Sequence, residues 1–458
     1  MMNDMSEHIA FLCQQYPAIS DMIENYGDIT INDYLSRIQH QCLDDIMPSD
    51  DLIDEIEAYF VPFFGPEIAM QAALATKKSK CLSTANHHHF AFEYMTVQEN
   101  ILFGLYQQLG KEQQCVIPFI AASNLNLTNT LYPRGLLLYD CNIEGAMRIP
   151  LYHWKKKREC IARLESVAEQ MVFKAKDRVY KEVKNNTISY RMGDTIIAFF
   201  DDVLLSDEVM KCKTLSDQTT IVNAMLSKRY FKDRQEMHLY MPLETLASRL
   251  LKRDLMHEDS LPYRILFNKK LRSLLINNLE SVAGCWTEDI SGTHFFWGLD
   301  SRDILFPMHL AEENGESFLS GRNSLDEDVF IPFRRESILE CLDKHLLLPG
   351  LFLCFLEIHL LRDFTVFGGY YQPTYLKQMI NGVVRTLLDL KLFEREALII
   401  KKKQNYMSLG ITFLSGQNDF KKYPISTLEL LKEPVETTLL EEKLRIFIKD
   451  SFCFLQSN

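Results

Sequence analysis

The sequence predicts an α/β protein: a Rossmann-like parallel sheet core with a helical N-terminal region and a helical insertion. Three observations predict it. Up to residue 79, apolar side chains recur at three- and four-residue spacing, the period of a helix with one buried face. At residue 80 that period gives way to a short unbroken apolar run, "KCLSTA". A second such run, "CVIPFIAAS" (115–123), follows after a single amphipathic segment. Strand, loop, helix and strand between residues 80 and 123 make a βαβ unit, which implies a parallel sheet.

The elements follow in chain order. "SDDLIDEIEAYF" opens with capping residues and continues as a helix. In "TVQENILFGLYQQLG", Thr96 and Glu99 have the spacing of a capping box and Gly110 closes the helix. "KKKRECIARLESVAEQMVFKAKDRVYKEVK" reads as long and amphipathic, and "SLPYRILFNKKLRSLLINNLESVAG" as a helix started near Pro262. Strand-like runs return in "THFFWGLD" (293–300) and "DILFPMHLAEE" (303–313), joined by a tight turn. "HLLLPGLFLCFLEIHLL" (345–361) reads as a buried element, because Pro349 and Glu357 interrupt it and it is short for a membrane span. Gly368 and Gly369 precede a helix that begins near Pro373. The expected organisation is a helical N-terminal region (1–79), the first part of the α/β core (80–154), a helical insertion or second layer (155–285), the second part of the core (286–400) and a C-terminal region (401–458).

Composition narrows the function classes. The chain has 458 residues, 47% of them hydrophobic, with 29 Phe and 19 Tyr, enough for a large interior. A net charge of −12 argues against nucleic acid and anionic membrane as partners. The basic runs "HWKKKREC" and "IKKKQ" read as solvated faces. Eleven cysteines without a CxxC pair read as reduced thiols, and the start of the chain lacks the pattern of a signal peptide. The expectation is a cytoplasmic protein whose partner is a small-molecule substrate, with the oligomeric state open.

In parallel sheets ligands sit beyond the carboxyl ends of the strands. Two polar loops are expected there, "NHHHFAFEYM" and "SNLNLTNTLYPRG". The three histidines, His87, His88 and His89, admit several chemistries. Adjacent residues cannot all face one metal, and no HExxH or cysteine set accompanies them, so no metal site is expected. His88, His89 and Glu93 form HHxxxE, which is similar to the HHxxxD motif of condensation-domain and chloramphenicol-acetyltransferase-like enzymes. That similarity implies a base at His89. A loop between a strand and a capped helix also suits an oxyanion or phosphate, with Asn86, His88 and Gln98 as polar groups. A nucleotide therefore stays open as a cofactor, although neither a P-loop nor GxGxxG is present. The bland alternative is that the histidines satisfy loop backbone. Asn126 and Asn129 are candidates to read a polar ligand or to form turns. Arg134 is a candidate for an anionic group or for a structural ion pair.

The order of landmarks, "CLSTANHHHFAFEYMTVQENILFGLYQQLG", "VIPFIAASNLNLTN" and "LLLP…FGGYYQ…YLKQM", resembles the cysteine-adding enzyme of bacillithiol biosynthesis. Where that family has EDHD this chain has NLNL. Where it has GQQ this chain has NHH, and Gly369, Tyr370 and Tyr371 replace its GPGE acid. The resemblance implies a Rossmann-like core related to nucleotidylyl transferases. It also implies pocket residues at His88, His89, Gly368, Gly369, Tyr370 and Gln372. The resulting expectation is a biosynthetic enzyme, ligase- or transferase-like, that condenses a small polar metabolite, an amino acid among the options, onto an acceptor. An acyltransferase and a non-catalytic interaction protein are the alternatives. The loop 86–94 and the turn 367–373 are expected to face one pocket, in which glycine lets backbone approach a ligand closely.

Overall fold

A computed structural model describes residues 9–14, 17–42, 49–108, 116–128, 134–289, 291–391, 393–403 and 406–452. In chain order its strands are β1 (Cys81–Ser83), β2 (Val116–Ala121), β3 (Gly135–Leu138), β4 (Met147–Pro150), β5 (Met237–Pro242), β6 (Phe296–Leu299), β7 (Leu305–Pro307), β8 (His309–Glu313), β9 (Glu316–Arg322), β10 (Asp328–Pro332), β11 (Leu347–Pro349), β12 (Thr365–Gly368), β13 (Tyr406–Ser408), β14 (Ser415–Gln417) and β15 (Lys422–Pro424). β13, β12, β1, β2 and β5 lie side by side in that order, and every pairing among them is parallel. The α/β, Rossmann-like core is therefore present. The first core strand is central, the next two extend the sheet one way, and the last two extend it the other way, as in doubly wound folds.

Residues alternate across a strand, so each strand feeds two cores. Cys81, Ile117, Phe119, Tyr240 and Phe367 belong to one core with the helix Tyr94–Gln108. Leu82, Val116, Ile120, Leu239, Met241 and Val366 belong to the other, with the helices Asp50–Ser79, Leu243–Asp254 and Gln372–Asp389. Burial on both faces explains why β1 and β2 read as unbroken apolar runs. The path of the chain follows from this. Leaving β1 it crosses on the first face, and leaving β12 it crosses on the second. Between these neighbours, at their carboxyl ends, the connections diverge.

β1 continues past its last ladder residue. Ser83 pairs with Phe119 and His87 with Ala122, so four residues on one chain span three on the other. This is a β-bulge, held by Ala122 N–H to Asn86 O (2.8 Å) and His88 N–H to Ala122 O (2.7 Å). The histidine stretch is thus the bulged end of a central strand.

Several expected elements fall elsewhere. β5 ("MHLYMP") lies within the stretch read as a helical insertion, where six residues with a polar histidine gave too weak a strand signal between two helices. The runs at 293–313 form β6, β7 and β8 in small antiparallel sheets outside the core. The tight turn between them dictates this, since a short turn joins only antiparallel strands. The core strand of that region is β12, and β13 falls in the C-terminal region. The helix expected from Pro262 onward breaks at Asn268, which caps a second helix through Leu271 N–H (3.1 Å). The segment 345–361 is β11 followed by a buried helical stretch that ends in a π-turn at Leu356–Leu360. Among the described residues no helix is long and apolar enough to cross a membrane.

One buried cation ties the second face together. Arg362, 5% exposed, contacts Glu357 (2.6 Å), Asp51 (2.9 Å) and Asp254 (3.0 Å), three acids from three separate elements just ahead of β12. Removing the arginine leaves the Glu357 carboxyl, at 0% exposure, without its 2.6 Å partner and leaves Asp51 and Asp254 without their shared cation. Arg362→Ala should therefore lower unfolding free energy by about 3–5 kcal/mol in urea titration. A loss below about 1 kcal/mol would mean that the hub is solvated and behaves as a surface pair.

Candidate functional site

The crevice is built where β1 and β12 part. Thr84 N–H donates to Phe367 O (2.7 Å), and the Thr84 hydroxyl donates to Gln372 Oε1 (2.9 Å). Gln372 lies flat on Gly368: a β-carbon there would come within 2.2 Å of its amide, so only glycine fits. Gln372 N–H closes the turn onto Gly369 O (3.0 Å), and Leu409 N–H bonds Gly368 O (3.0 Å) as the chain leaves β13. The segment 409–414 then crosses to the helix Tyr94–Gln108. Gln98 clips it there, accepting from Phe413 N–H (2.7 Å) and Leu414 N–H (2.8 Å) and donating to Leu414 O and Ile425 O (both 2.9 Å). Tyr34 donates to Ser408 O (2.8 Å) from the helix Ile31–Cys42. Gly369 and Tyr370 are half-buried and Tyr371 is exposed, so the turn meets solvent there. The two tyrosine rings lie 4.4 Å apart, and Tyr371 is 51% exposed.

Beneath this mouth sits Glu99, 4% exposed. Its Oε1 is 3.7 Å from where a β-carbon on Gly369 would be and 3.4 Å from the same point on Gly410. Burial, followed by the Glu93 carboxyl, raises its pKa well above the usual carboxylate value. Sequence reasoning read Glu99 only as a capping partner. The structure starts the helix a turn earlier: Val97 N–H bonds Glu93 O (3.1 Å) and Thr96 N–H bonds Glu93 Oε2 (2.9 Å). Glu93 is the cap, which leaves Glu99 uncommitted. One signal pointed to it: in Tyr94–Gln108 it is the only charged residue.

The structure brings Gly368, Gly369, Tyr370 and Gln372 to the crevice but does not bring His88 to it. The His88 ring bonds Ser216 O (3.1 Å) and lies 6.5 Å from the Tyr240 ring, packed under the helix Leu215–Ser227. The His89 carbonyl accepts from Asn223 (3.0 Å) on the same helix, and its ring meets Phe90 edge-on. Burial holds His87, His88 and His89 neutral, with pKa values of about 4, 3 and 4. This corrects the catalytic expectation for His88 and His89. The imidazoles, at 0% and 2% exposure, pack the strand end against the helix Leu215–Ser227, away from the turn at Gly369. Glu93 is likewise buried at 2%, and burial pushes its carboxyl up to about 7.

The remaining candidates have local duties. Asn86 donates to Asn100 (2.6 Å), with its own Oδ1 buried and unpartnered. Asn126 accepts from Thr128 N–H (3.0 Å) and forms a turn. Arg134 donates to Tyr152 O (2.9 Å) beside the β3–β4 hairpin, with neither the acid nor the open anion site expected of it. Asn129 lies outside the described residues. Among those residues, no group of three or more His, Cys, Asp or Glu is arranged to hold a metal. An open groove of about 530 Å³ lies elsewhere, lined in part by Phe63, Asp207, Lys211, Cys212 and Asp217. Its acids and bases are mixed, and burial pushes the Cys212 thiol up to about 11, so it offers no activated nucleophile.

The fold is a doubly wound α/β fold, and the candidate site lies where the connections of β1 and β12 diverge. No family model matches the chain, and no curated protein matches it significantly.

Protonation separates a structural from a catalytic His88. Its folded pKa is about 3 and its ordinary value 6.5, so below pH 6.5 the unfolded chain binds the extra proton and stability falls. The stability advantage of wild type over His88→Asn should therefore shrink by about 3 kcal/mol between pH 7 and pH 4. Equilibrium unfolding at several pH values measures it. A pH-independent difference would mean that the ring is solvent-accessible.

Proposed function

We propose that this chain is a small-molecule enzyme, ligase- or transferase-like, that seats a small polar metabolite between the ends of β1 and β12 and joins it to an acceptor. The observation that carries the reading is the strand order. It makes β1 and β12 neighbours whose connections leave to opposite faces, and ligands in open α/β sheets bind where connections diverge. What gathers there supports it: a glycine pair, two tyrosines, Gln372 with a buried unpartnered Nε2, and Glu99. Such a mixture of aromatic surface and few polar groups suits a small ligand. The resemblance to the cysteine-adding enzyme contributes only the position of its two motif patches, which flank β1–β2 and β12.

A histidine-based acyltransferase is less well supported, because its base would be one of the buried imidazoles. A nucleotide phosphate is less well supported too, since Glu93 already occupies the N–H groups at the helix start. Acidic overall charge argues for a small molecule over nucleic acid. Eight described cysteines are free, which supports a reducing compartment, the cytoplasm.

The test is a thermal-shift panel of amino acids, sugars, sugar phosphates, nucleotides and acyl-CoA on wild type and Gly369→Val. A Cβ at 369 meets only ordinary contact, so the variant should fold while its side chain fills the crevice. At a hundredfold excess over Kd the ligand should stabilise wild type by about 2.7 kcal/mol, and Gly369→Val should abolish that shift. A shift that survives the substitution would place the ligand elsewhere. No shift from any class, with a partner protein recovered by pull-down, would favour an interaction protein.

A further inference from the structure

We propose that the crevice takes its ligand by a primary ammonium group, seated on the carboxylate of Glu99 between the backbone turns at Gly369 and Gly410, with Gln372 Nε2 donating to a neighbouring oxygen of the same molecule. This rests on the switch-point reading and names its substrate class.

The charges at the site choose the ligand. Glu99 and Glu93 are the ionisable groups that act on one another here, and among the described residues no basic side chain faces Glu99. The turn after β12 faces it with backbone and Tyr370, and the segment after β13 faces it with the backbone of Gly410, which itself packs on Tyr370. The helix Ile31–Cys42 contributes Tyr34, whose hydroxyl is committed to Ser408 O. A phosphate or carboxylate would bring a charge into a buried place that, among the described residues, offers no cation to compensate it. An ammonium supplies three donors and the missing charge.

A second observation is independent of the acids. Gln372 is 2% exposed, its Oε1 accepts from Thr84, and its Nε2 has no partner. A buried donor left unmade costs about 1–3 kcal/mol. A ligand oxygen beside the ammonium would satisfy it, as in an amino-acid amide. Gly369 leaves the room: the space a side chain would take there meets only Glu99 Oε1, at 3.7 Å, while Gly410 closes the far side by packing on Tyr370.

Proton balance follows. In the empty site the Glu99 carboxyl holds its proton, because nothing there compensates a buried charge. When an ammonium enters, the carboxyl proton passes to the buffer and a carboxylate–ammonium pair remains. No other bond changes.

The probes are serinamide, N-acetylserinamide and inorganic phosphate, tested on the full chain by thermal shift and by calorimetry in two buffers of different ionisation enthalpy at pH 6. Serinamide should raise the melting temperature and release about one proton per molecule bound, while N-acetylserinamide and phosphate should do neither. Glu99→Gln keeps the shape and removes the charge. It should weaken serinamide binding at least tenfold, about 1.4 kcal/mol, without lowering the melting temperature of the empty protein. Equal binding of N-acetylserinamide, unchanged serinamide binding by Glu99→Gln, or no response to serinamide would each overturn the inference. Stabilisation by phosphate that Gly369→Val abolishes would overturn the ammonium but leave the switch-point site standing. Stabilisation by serinamide that Gly369→Val leaves intact would overturn both.

Discussion

The parallel pairing of β1 with β12 is the contact on which the rest of the structure depends. It joins residues 81–83 to residues 365–367, strands nearly three hundred positions apart, in the middle of the sheet. Without it the two halves of the core have no shared edge and the crevice has only one wall. The pairing is locked at its carboxyl end by Thr84, which uses both its N–H and its hydroxyl on Phe367 and Gln372. Gly368 is required for the same reason, because Gln372 can lie across the strand end only where no side chain stands. One small arrangement thus fixes the register, starts the next helix and shapes the mouth of the proposed site.

Buried acids mark the difference between scaffold and site. Glu357 is wholly buried and is met by Arg362, whose guanidinium also meets Asp51 and Asp254. Glu236 is met by Arg234 (2.9 Å) and His238 (3.2 Å) at the amino end of β5. Both are buried carboxyls met by an arginine, and the Arg362 group also ties three elements together. Among the described residues Glu99 has no such partner, and it sits at the carboxyl end, beside the half-buried Gly369. Among the same residues the buried carboxyls of Glu93 and Glu429 also lack a basic partner but accept backbone N–H groups; an uncommitted carboxyl has a use in a site that awaits a ligand.

The parts of the fold that were legible in the sequence are those with local signals. β1 and β2 are doubly buried and read as apolar runs, and the Gly368–Gly369 turn announces itself ahead of Gln372. β5, β12 and β13 were harder, being three to six residues long and stabilised by neighbours distant in sequence. Strand order is a property of long crossovers, which no local pattern records. At the site, three adjacent histidines drew attention because imidazole is usually chemical. Burial between strand end and helix makes them packing residues instead. Glu99 was hidden by its spacing from Thr96, a pattern that a helix begun at Tyr94 does not use.

The location of the ligand is the central claim, and hydrogen exchange read by mass spectrometry tests it most directly. The full chain would be compared with and without whichever small molecule raises its melting temperature. The account predicts new protection at residues 84–85, 369–372 and 409–411, the two walls and the roof of the crevice. Protection confined to the groove around Phe63, Asp207 and Cys212, with the ends of β1 and β12 unchanged, would contradict it.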